Sequence, residues 1–260
     1  MRRPHGLTYF IAALAAIAAF AAFTPGAVAA TKTVCPDGGV SNTTINGGLE
    51  VTDGNYCILA NDTINGGITI DYGGDIELDN STVNSGITVN PRGEIEVNPG
   101  SIFGGTFTTS TINGGITLNQ PDDWDIETAH ISGGVTFNGI SPPFPPFPNS
   151  QPTFCGNTVI GSVSMRDVSA DFMSFPTTGD PTDEFGCPGN TISGSLSISN
   201  SPGEVEGNSV GGSVFLSGST LEVNGNTIGG SLFCSNGTVI VPGEDPADPT
   251  SNTVRGANTC

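Results

Sequence analysis

The feature that most constrains this chain is a short motif that keeps returning in phase. Ile64-Asn65-Gly66-Gly67-Ile68-Thr69-Ile70 has near copies in Ile45-Asn46-Gly47-Gly48-Leu49, Ile112-Asn113-Gly114-Gly115-Ile116 and Ile131-Ser132-Gly133-Gly134-Val135, with Val83-Asn84-Ser85-Gly86-Ile87 as a variant. Later copies open on Val159, Ile192, Val210, Ile228 and Val254. The ten anchors are spaced 19, 19, 29, 19, 28, 33, 18, 18 and 26 residues apart. The short spacings define a unit of 18 or 19 residues, and the long ones are that unit plus an insertion. A repeat of this kind describes a body in which each unit covers the apolar face of its neighbour.

Within a unit the apolar residues alternate. Ile68-Thr69-Ile70 and Ile76-Glu77-Leu78 each place aliphatic side chains on one face and polar ones on the other. Gly73-Gly74 separates the two runs, and no helical period is present. Two or three very short strands per unit predict one coil of a β-solenoid, each strand pairing with its equivalent in the next coil about 4.8 Å away. Ten coils give a rod of roughly 45–50 Å. Asn157, Asn190, Asn208, Asn226 and Asn252 all stand two residues before an anchor, which predicts a ladder of stacked amides. The glycines after the anchors suit a turn with positive φ. Ile102-Phe103-Gly104-Gly105 also resembles the anchor, and is either an insertion or an abbreviated coil.

This Asn-Thr-Ile/Val, Gly-Gly/Gly-Ser, alternating-strand pattern resembles the right-handed parallel β-helix proteins, the pectin-lyase-like and polymer-forming solenoids, over about residues 40–260. The resemblance implies an all-β, single-stranded parallel β-helix. A left-handed β-helix is the alternative, since the apolar offsets echo a hexapeptide repeat without its usual glycine.

The ends and the charge bound the setting. Arg2 and Arg3 precede an apolar run from Leu7 to Phe23, followed by Pro25-Gly26 and the small residues Ala27-Val28-Ala29. That is the layout of a secretory signal peptide over residues 1–29, leaving a β-solenoid domain from 30 to 260 and a secreted, extracellular or cell-envelope location. After residue 29 only Lys32, Arg92, Arg166 and Arg255 stand against all 25 acidic residues, a net charge of −21. Such a chain repels phosphate backbones and anionic headgroups, which argues against nucleic acid and membrane as partners. Cations, basic surfaces and an extracellular or cell-surface polymer remain.

The excess residues of the long units fall near 98–110, 139–154, 172–188 and 242–251, each late in its unit, so the loops are expected on one edge of the rod, where solenoids often place function. All six cysteines follow the predicted signal peptide. Cys234 and Cys260 each lie six residues after an anchor, and Cys155 and Cys187 lie four and five before theirs, which pairs them and leaves Cys35 with Cys57.

Candidate chemistry is sparse. Glu77, Glu96, Glu127, Glu206 and Glu222 take outward positions, with Glu77 and Glu96 expected as stacked neighbours. They form a solubilising stripe or, on the sharper reading, a weak calcium site, for which Glu77, Glu96, Glu206 and Glu222 are the candidates; no other cofactor is indicated. Asp122-Asp123-Trp124-Asp125, with His130 nearby, is the densest acidic cluster. Two carboxylates beside an aromatic platform suit a glycosidase, and an acidic turn whose Trp covers a corner of the rod is the plainer account. The Thr69, Thr88, Thr117, Thr136, Ser164, Ser197 column invites an ice-binding reading, but a flat array needs a second column, and this one ends in Phe215 and Phe233. The sequence therefore supports an acidic solenoid with a structural, cell-surface or binding role and no evident catalytic constellation. The alternative is a polysaccharide lyase or glycoside hydrolase on the same scaffold.

Overall fold

The computed structural model describes residues 31–98, 109–139, 153–168, 189–241 and 251–260. These residues are all-β, with no helix among them, and every strand pairing is parallel. The predicted signal peptide and Cys187 lie outside the described residues, as do Ile102 and nearly all of the four insertions.

Four sheets run through the described residues. The first has ten strands, beginning Thr33–Val34, Leu49–Val51, Ile68–Ile70 and ending Leu232–Ser235. The second has six, among them Tyr56–Ala60, Asp75–Asp79, Glu94–Val97 and Asp123–Glu127. The third is built from ten two-residue strands, Thr44–Ile45 through Thr253–Val254. A fourth, of three strands, holds Gly203–Glu206, Thr220–Asn224 and Val239–Val241. Long parallel sheets whose strands recur once per repeat are the architecture expected of a β-solenoid.

The anchors are the inward column of the third sheet. Ile45 pairs with Ile64, Ile64 with Val83, Val83 with Ile112, and so on without a break to Ile228 and Val254. Val83 meets Ile112 directly, so no rung of this sheet intervenes between them. Alternation does the rest: Leu49, Val51, Ile68, Ile70, Ile76 and Leu78 all point inward and are at most 1% exposed. Trp124, Phe137 and Phe154 pack together inside this core, with ring centroids 5.7 Å and 5.5 Å apart.

The amide ladder is present and longer than the asparagines alone suggest. The backbone N–H of Asn157 donates to Asn190 Oδ1 at 3.0 Å, Asn190 to Asn208 at 3.0 Å, Asn208 to Asn226 at 2.9 Å and Asn226 to Asn252 at 3.0 Å. Below them, the same position two before the anchor is held by Thr43, Asp62, Ser81 and Ser110. Their side chains continue the column: Thr43 N–H donates to Asp62 Oδ1, Asp62 N–H to Ser81 Oγ and Ser81 N–H to Ser110 Oγ. Ala129 interrupts it as an acceptor but still donates to Asn157 Oδ1 at 2.9 Å.

The glycines after the anchors serve a different purpose from the one expected. Of those in the Gly-Gly motifs, Gly47 has a positive φ, of 127°. Most of the others are required by contact: a Cβ on Gly66 would lie 2.5 Å from Gly47 backbone carbon, and one on Gly114 2.5 Å from Gly86 nitrogen. The left-handed corners are instead taken by Asn42, Asn61 and Asn80, with φ of 53°, 59° and 47°, a conformation asparagine tolerates.

Two disulfides are present, Cys35–Cys57 with Cα atoms 6.0 Å apart and Cys234–Cys260, which follows the register of the last rungs, at 5.0 Å. Cys155 is also disulfide-bonded. The last bridge ties a terminal rung that has only a partial neighbour, Leu232 meeting Asn258 in an isolated bridge.

Two predictions follow from this packing. Replacing both Cys234 and Cys260 with Ser opens a 26-residue separation and should lower unfolding free energy by about 3 kcal/mol in denaturant titration; an unchanged midpoint would show that the bridge is dispensable. Asp62 is 2% exposed and its Oδ2 has no hydrogen-bond partner among the described residues. At equivalent positions the asparagine Nδ2 donates to a main-chain carbonyl, as Asn157 does to Ile126 O at 2.7 Å. Asp62→Asn supplies that donor and should raise stability by about 1 kcal/mol. A loss of stability would contradict this account of the column.

Candidate functional site

The outward face of the second sheet gathers the acidic residues. Parallel register sets Asp75 beside Glu94 and Glu94 beside Asp123 in one column; Glu77 beside Glu96 and Glu96 beside Asp125 stand in the next. Asp79 and Glu127 extend the same face at the ends of their strands. Alternation is the cause. In Asp75-Ile76-Glu77-Leu78-Asp79 and Asp123-Trp124-Asp125-Ile126-Glu127 every second residue is acidic, and the residues between are driven into the core.

Burial, with crowding at most of them, makes Asp75, Glu94, Glu96, Asp123 and Asp125 reluctant to ionise. Glu96 is raised from an ordinary 4.5 to about 7, first by burial and then by Asp125, Asp75, Glu77 and Asp123. Asp123 rises from 3.8 to about 6, by burial and then by Asp125. Burial also leads the upward shifts of Asp75 and Glu94, with Glu77 and Asp75 respectively adding to them. Asp125 is raised by burial and eased by hydrogen bonds from Thr153, whose N–H and Oγ each lie 2.9 Å from Oδ1. Tyr56 donates to Glu77 Oε2 at 2.6 Å, which holds the phenol well above its usual range.

One cation borders the patch. Arg92 Nε lies 3.1 Å from Asp122 Oδ2, its Nη1 donates to Tyr72 Oη at 2.7 Å, and the guanidinium sits 5.2 Å from the Tyr72 ring centre. Asp122 is thus engaged at the sheet margin while Asp123 and Asp125 face outward within it.

The structure distributes the other sequence candidates differently. The Asp122–Asp125 segment is not a turn: Asp123–Glu127 is a strand. Trp124, between two outward aspartates, necessarily points inward and is 1% exposed, so it offers no platform for a sugar ring. His130 lies on the third sheet between Thr111 and Thr158, not on the sheet of Asp123 and Asp125. Glu77 and Glu96 are stacked neighbours, but Glu206 and Glu222 belong to the fourth sheet. There Glu222 sits beside Glu204, and Glu206 beside Asn224. Glu206 and Glu222 are 4% and 5% exposed, and Asn224 Nδ2 donates to both, at 3.1 Å and 2.6 Å. The expected single glutamate stripe is therefore two separate features, because the second sheet ends and a new one begins between these rungs. Sequence reasoning passed over Asp75, Glu94 and Asp79, which carry the same period-two signal as Glu77 and Glu96.

Among the described residues no three His, Cys, Asp or Glu side chains converge closely enough to hold a metal ion. Comparison with known protein families, with curated proteins and with solved structures finds no match to this chain.

The raised carboxyls fix the sign of the pH response. A group whose folded value lies above its unfolded one binds a proton in the native state first, so stability falls as pH rises between the two. For Glu96 that window runs from 4.5 to about 7. Unfolding midpoints should therefore be higher at pH 5 than at pH 8. Glu96→Gln should stabilise by about 1 kcal/mol at pH 8, after allowing for solvent screening of a half-exposed group, and by nothing at pH 4. A wild-type midpoint that is flat across this range would remove the crowding argument.

Proposed function

We propose that this is an exported β-solenoid, right-handed and with coils of 18–19 residues, whose role is structural or adhesive and whose acidic second sheet is its binding face. The observation that carries the reading is the in-register arrangement of carboxylates on that sheet. They are spread over successive rungs as a stripe, where a glycosidase would gather two in a groove. Disulfide bonds are compatible with an extracellular setting.

A stripe of half-buried carboxylates attracts positive charge in a particular way. It has no enclosing donor set among the described residues, so it discriminates little between one divalent cation and another. It suits instead an extended cationic partner, such as a basic protein surface or a polyamine-bearing polymer, whose charges can be spaced along the rungs. Binding would relieve the repulsion between neighbouring carboxylates and draw protons off Glu96 and Asp123.

The test is retention on polylysine-coated beads against uncoated beads across a salt series. Retention should be lost as salt rises, and Glu94→Gln with Glu96→Gln and Asp123→Asn should weaken it more than the same number of charge removals elsewhere, such as Asp37→Asn, Asp53→Asn and Asp167→Asn. Millimolar calcium and magnesium should raise the melting temperature equally, since a diffuse face binds both. Equal weakening by the two triple variants would show that net charge, not this sheet, does the binding; a calcium shift that magnesium does not reproduce would point to a chelating site.

A further inference from the structure

Asparagine followed by glycine is a chemically weak point of any polypeptide. The glycine nitrogen can reach the asparagine side-chain carbon with no β-carbon in the way. The chain holds six such pairs, opening on Asn46, Asn65, Asn113, Asn138, Asn224 and Asn236, and all lie among the described residues. The fold restrains five of them. Asn65 Nδ2 donates to Asn46 Oδ1 and Asn113 Nδ2 to Asn84 Oδ1, each at 2.8 Å. Gly47, Gly66 and Gly114 are wedged between rungs: a Cβ on Gly66 would lie 2.5 Å from Gly47 backbone carbon, and one on Gly114 2.5 Å from Gly86 nitrogen. The main chain there has no room to turn toward its side chain. Gly139 N–H is committed to Arg166 O at 2.8 Å, and Asn138 Nδ2 to Asn119 Oδ1 at 3.0 Å. Asn224 is buried, and its Nδ2 is shared between Glu206 and Glu222.

Asn236-Gly237 is placed differently. Both residues are exposed, in the turn between Leu232–Ser235 and Val239–Val241. A Cβ on Gly237 would meet nothing within 4 Å, and its N–H has no main-chain partner among the described residues. Gly38 and Gly54 share such open surroundings, but they follow aspartates, and their N–H groups are taken by Tyr56 O and Gly73 O at 2.9 Å. Asn236 Nδ2 is held at the surface by Ser217 Oγ at 2.7 Å. Of the six pairs, this one alone joins an exposed amide to a glycine whose nitrogen is unengaged and free to move.

We propose that Asn236-Gly237 is a site of spontaneous covalent modification, where asparagine converts to isoaspartate while the fold protects the other five pairs. Gly237 N loses its proton to hydroxide and attacks Asn236 Cγ. The N–Cγ bond forms and the Cγ–Nδ2 bond breaks, Nδ2 taking a proton from water and leaving as ammonia. Water then opens the five-membered imide. Opening at the Asn236 main-chain carbonyl routes the chain through the β-carbon as isoaspartate; opening at Cγ leaves aspartate. The sequence of steps is redox-neutral and consumes only water.

The position gives the change a consequence. Isoaspartate lengthens the main chain by a methylene, adds a negative charge and removes the donor to Ser217. It falls just before Val239–Val241, an edge strand of the fourth sheet that pairs on one side only, with Thr220–Asn224. Val239 and Ile240 are exposed, so little packing opposes a shift of this strand. Modification therefore loosens this edge with age and leaves the amide ladder and the aliphatic columns in place.

The inference does not depend on the acidic sheet, and its test is separate. The protein, disulfides intact, is aged in mildly alkaline buffer, once native and once in urea. Isoaspartate is located by enzymatic methylation of isoaspartyl carboxylates and fragment mass spectrometry. In urea the six pairs should react at comparable rates. In the native protein Asn236 should lead each of the others by about tenfold or more. This comparison needs no variant. Asn236→Gln, whose longer side chain closes a ring far more slowly, should remove the native signal and keep the urea signal of the other five. Amide exchange over Val239–Val241 should quicken in the aged wild type and not in aged Asn236→Gln. Native isoaspartate forming at another pair as fast as at Asn236, or no native reaction at Asn236 while the urea sample reacts, overturns the assignment of the site. Unchanged exchange over Val239–Val241 in the modified protein overturns its consequence for the sheet edge.

Discussion

Parallel pairing between successive rungs requires neighbouring backbones to lie about 4.8 Å apart along their whole length, and that distance governs which residues each position accepts. At Gly66, Gly114 and Gly133 the backbones approach so closely that an added Cβ would stand 2.5 Å from the rung below. Inward positions must instead be filled, and Ile, Val and Leu recur there because a column of identical shapes nests without voids. Where a side chain must satisfy main-chain groups in the corner, Asn, Ser and Asp alternate in one column, each accepting the N–H of the rung before it. A single spacing thus explains the glycines, the aliphatic columns and the polar ladder.

The same spacing makes the second sheet electrostatically tense. Alternation alone puts Glu77, Glu96 and Asp125 in line, and the chain places few bases near them. The strain is met in part by protons, since Glu96 holds its own up to about 7, and in part by donors such as Thr153 and Tyr56. A sheet in this condition gains from any positive surface laid across it, which is the physical basis of the binding role proposed for it.

Much of this was legible in the residues. The ten anchors are the ten rungs of the third sheet, and the offsets of Cys234 and Cys260 gave their pairing, because a repeat converts sequence offset into spatial position. Other features were not legible. Trp124 read as a surface residue because its neighbours are acidic, although the alternation that exposes them buries it. Glu206 and Glu222 read as part of the same stripe as Glu77, because nothing in their local pattern marks the change from second to fourth sheet. The Asp62, Ser81 and Ser110 rungs of the ladder were hidden by residue type: all three accept a hydrogen bond as asparagine does, at the same place before the anchor.

The rungs pair alike however much chain runs between them. Asn157 meets Asn190 across 33 residues and Asn190 meets Asn208 across 18, each through bonds of 3.0 Å. Lengthening a loop adds only slowly to its closure cost, so the spacing of the outer faces is set by the backbone and is indifferent to the thread that joins them. Such a molecule is a ruler with fixed graduations. New segments can be grown from its corners, by evolution or by design, without moving a single mark on its faces.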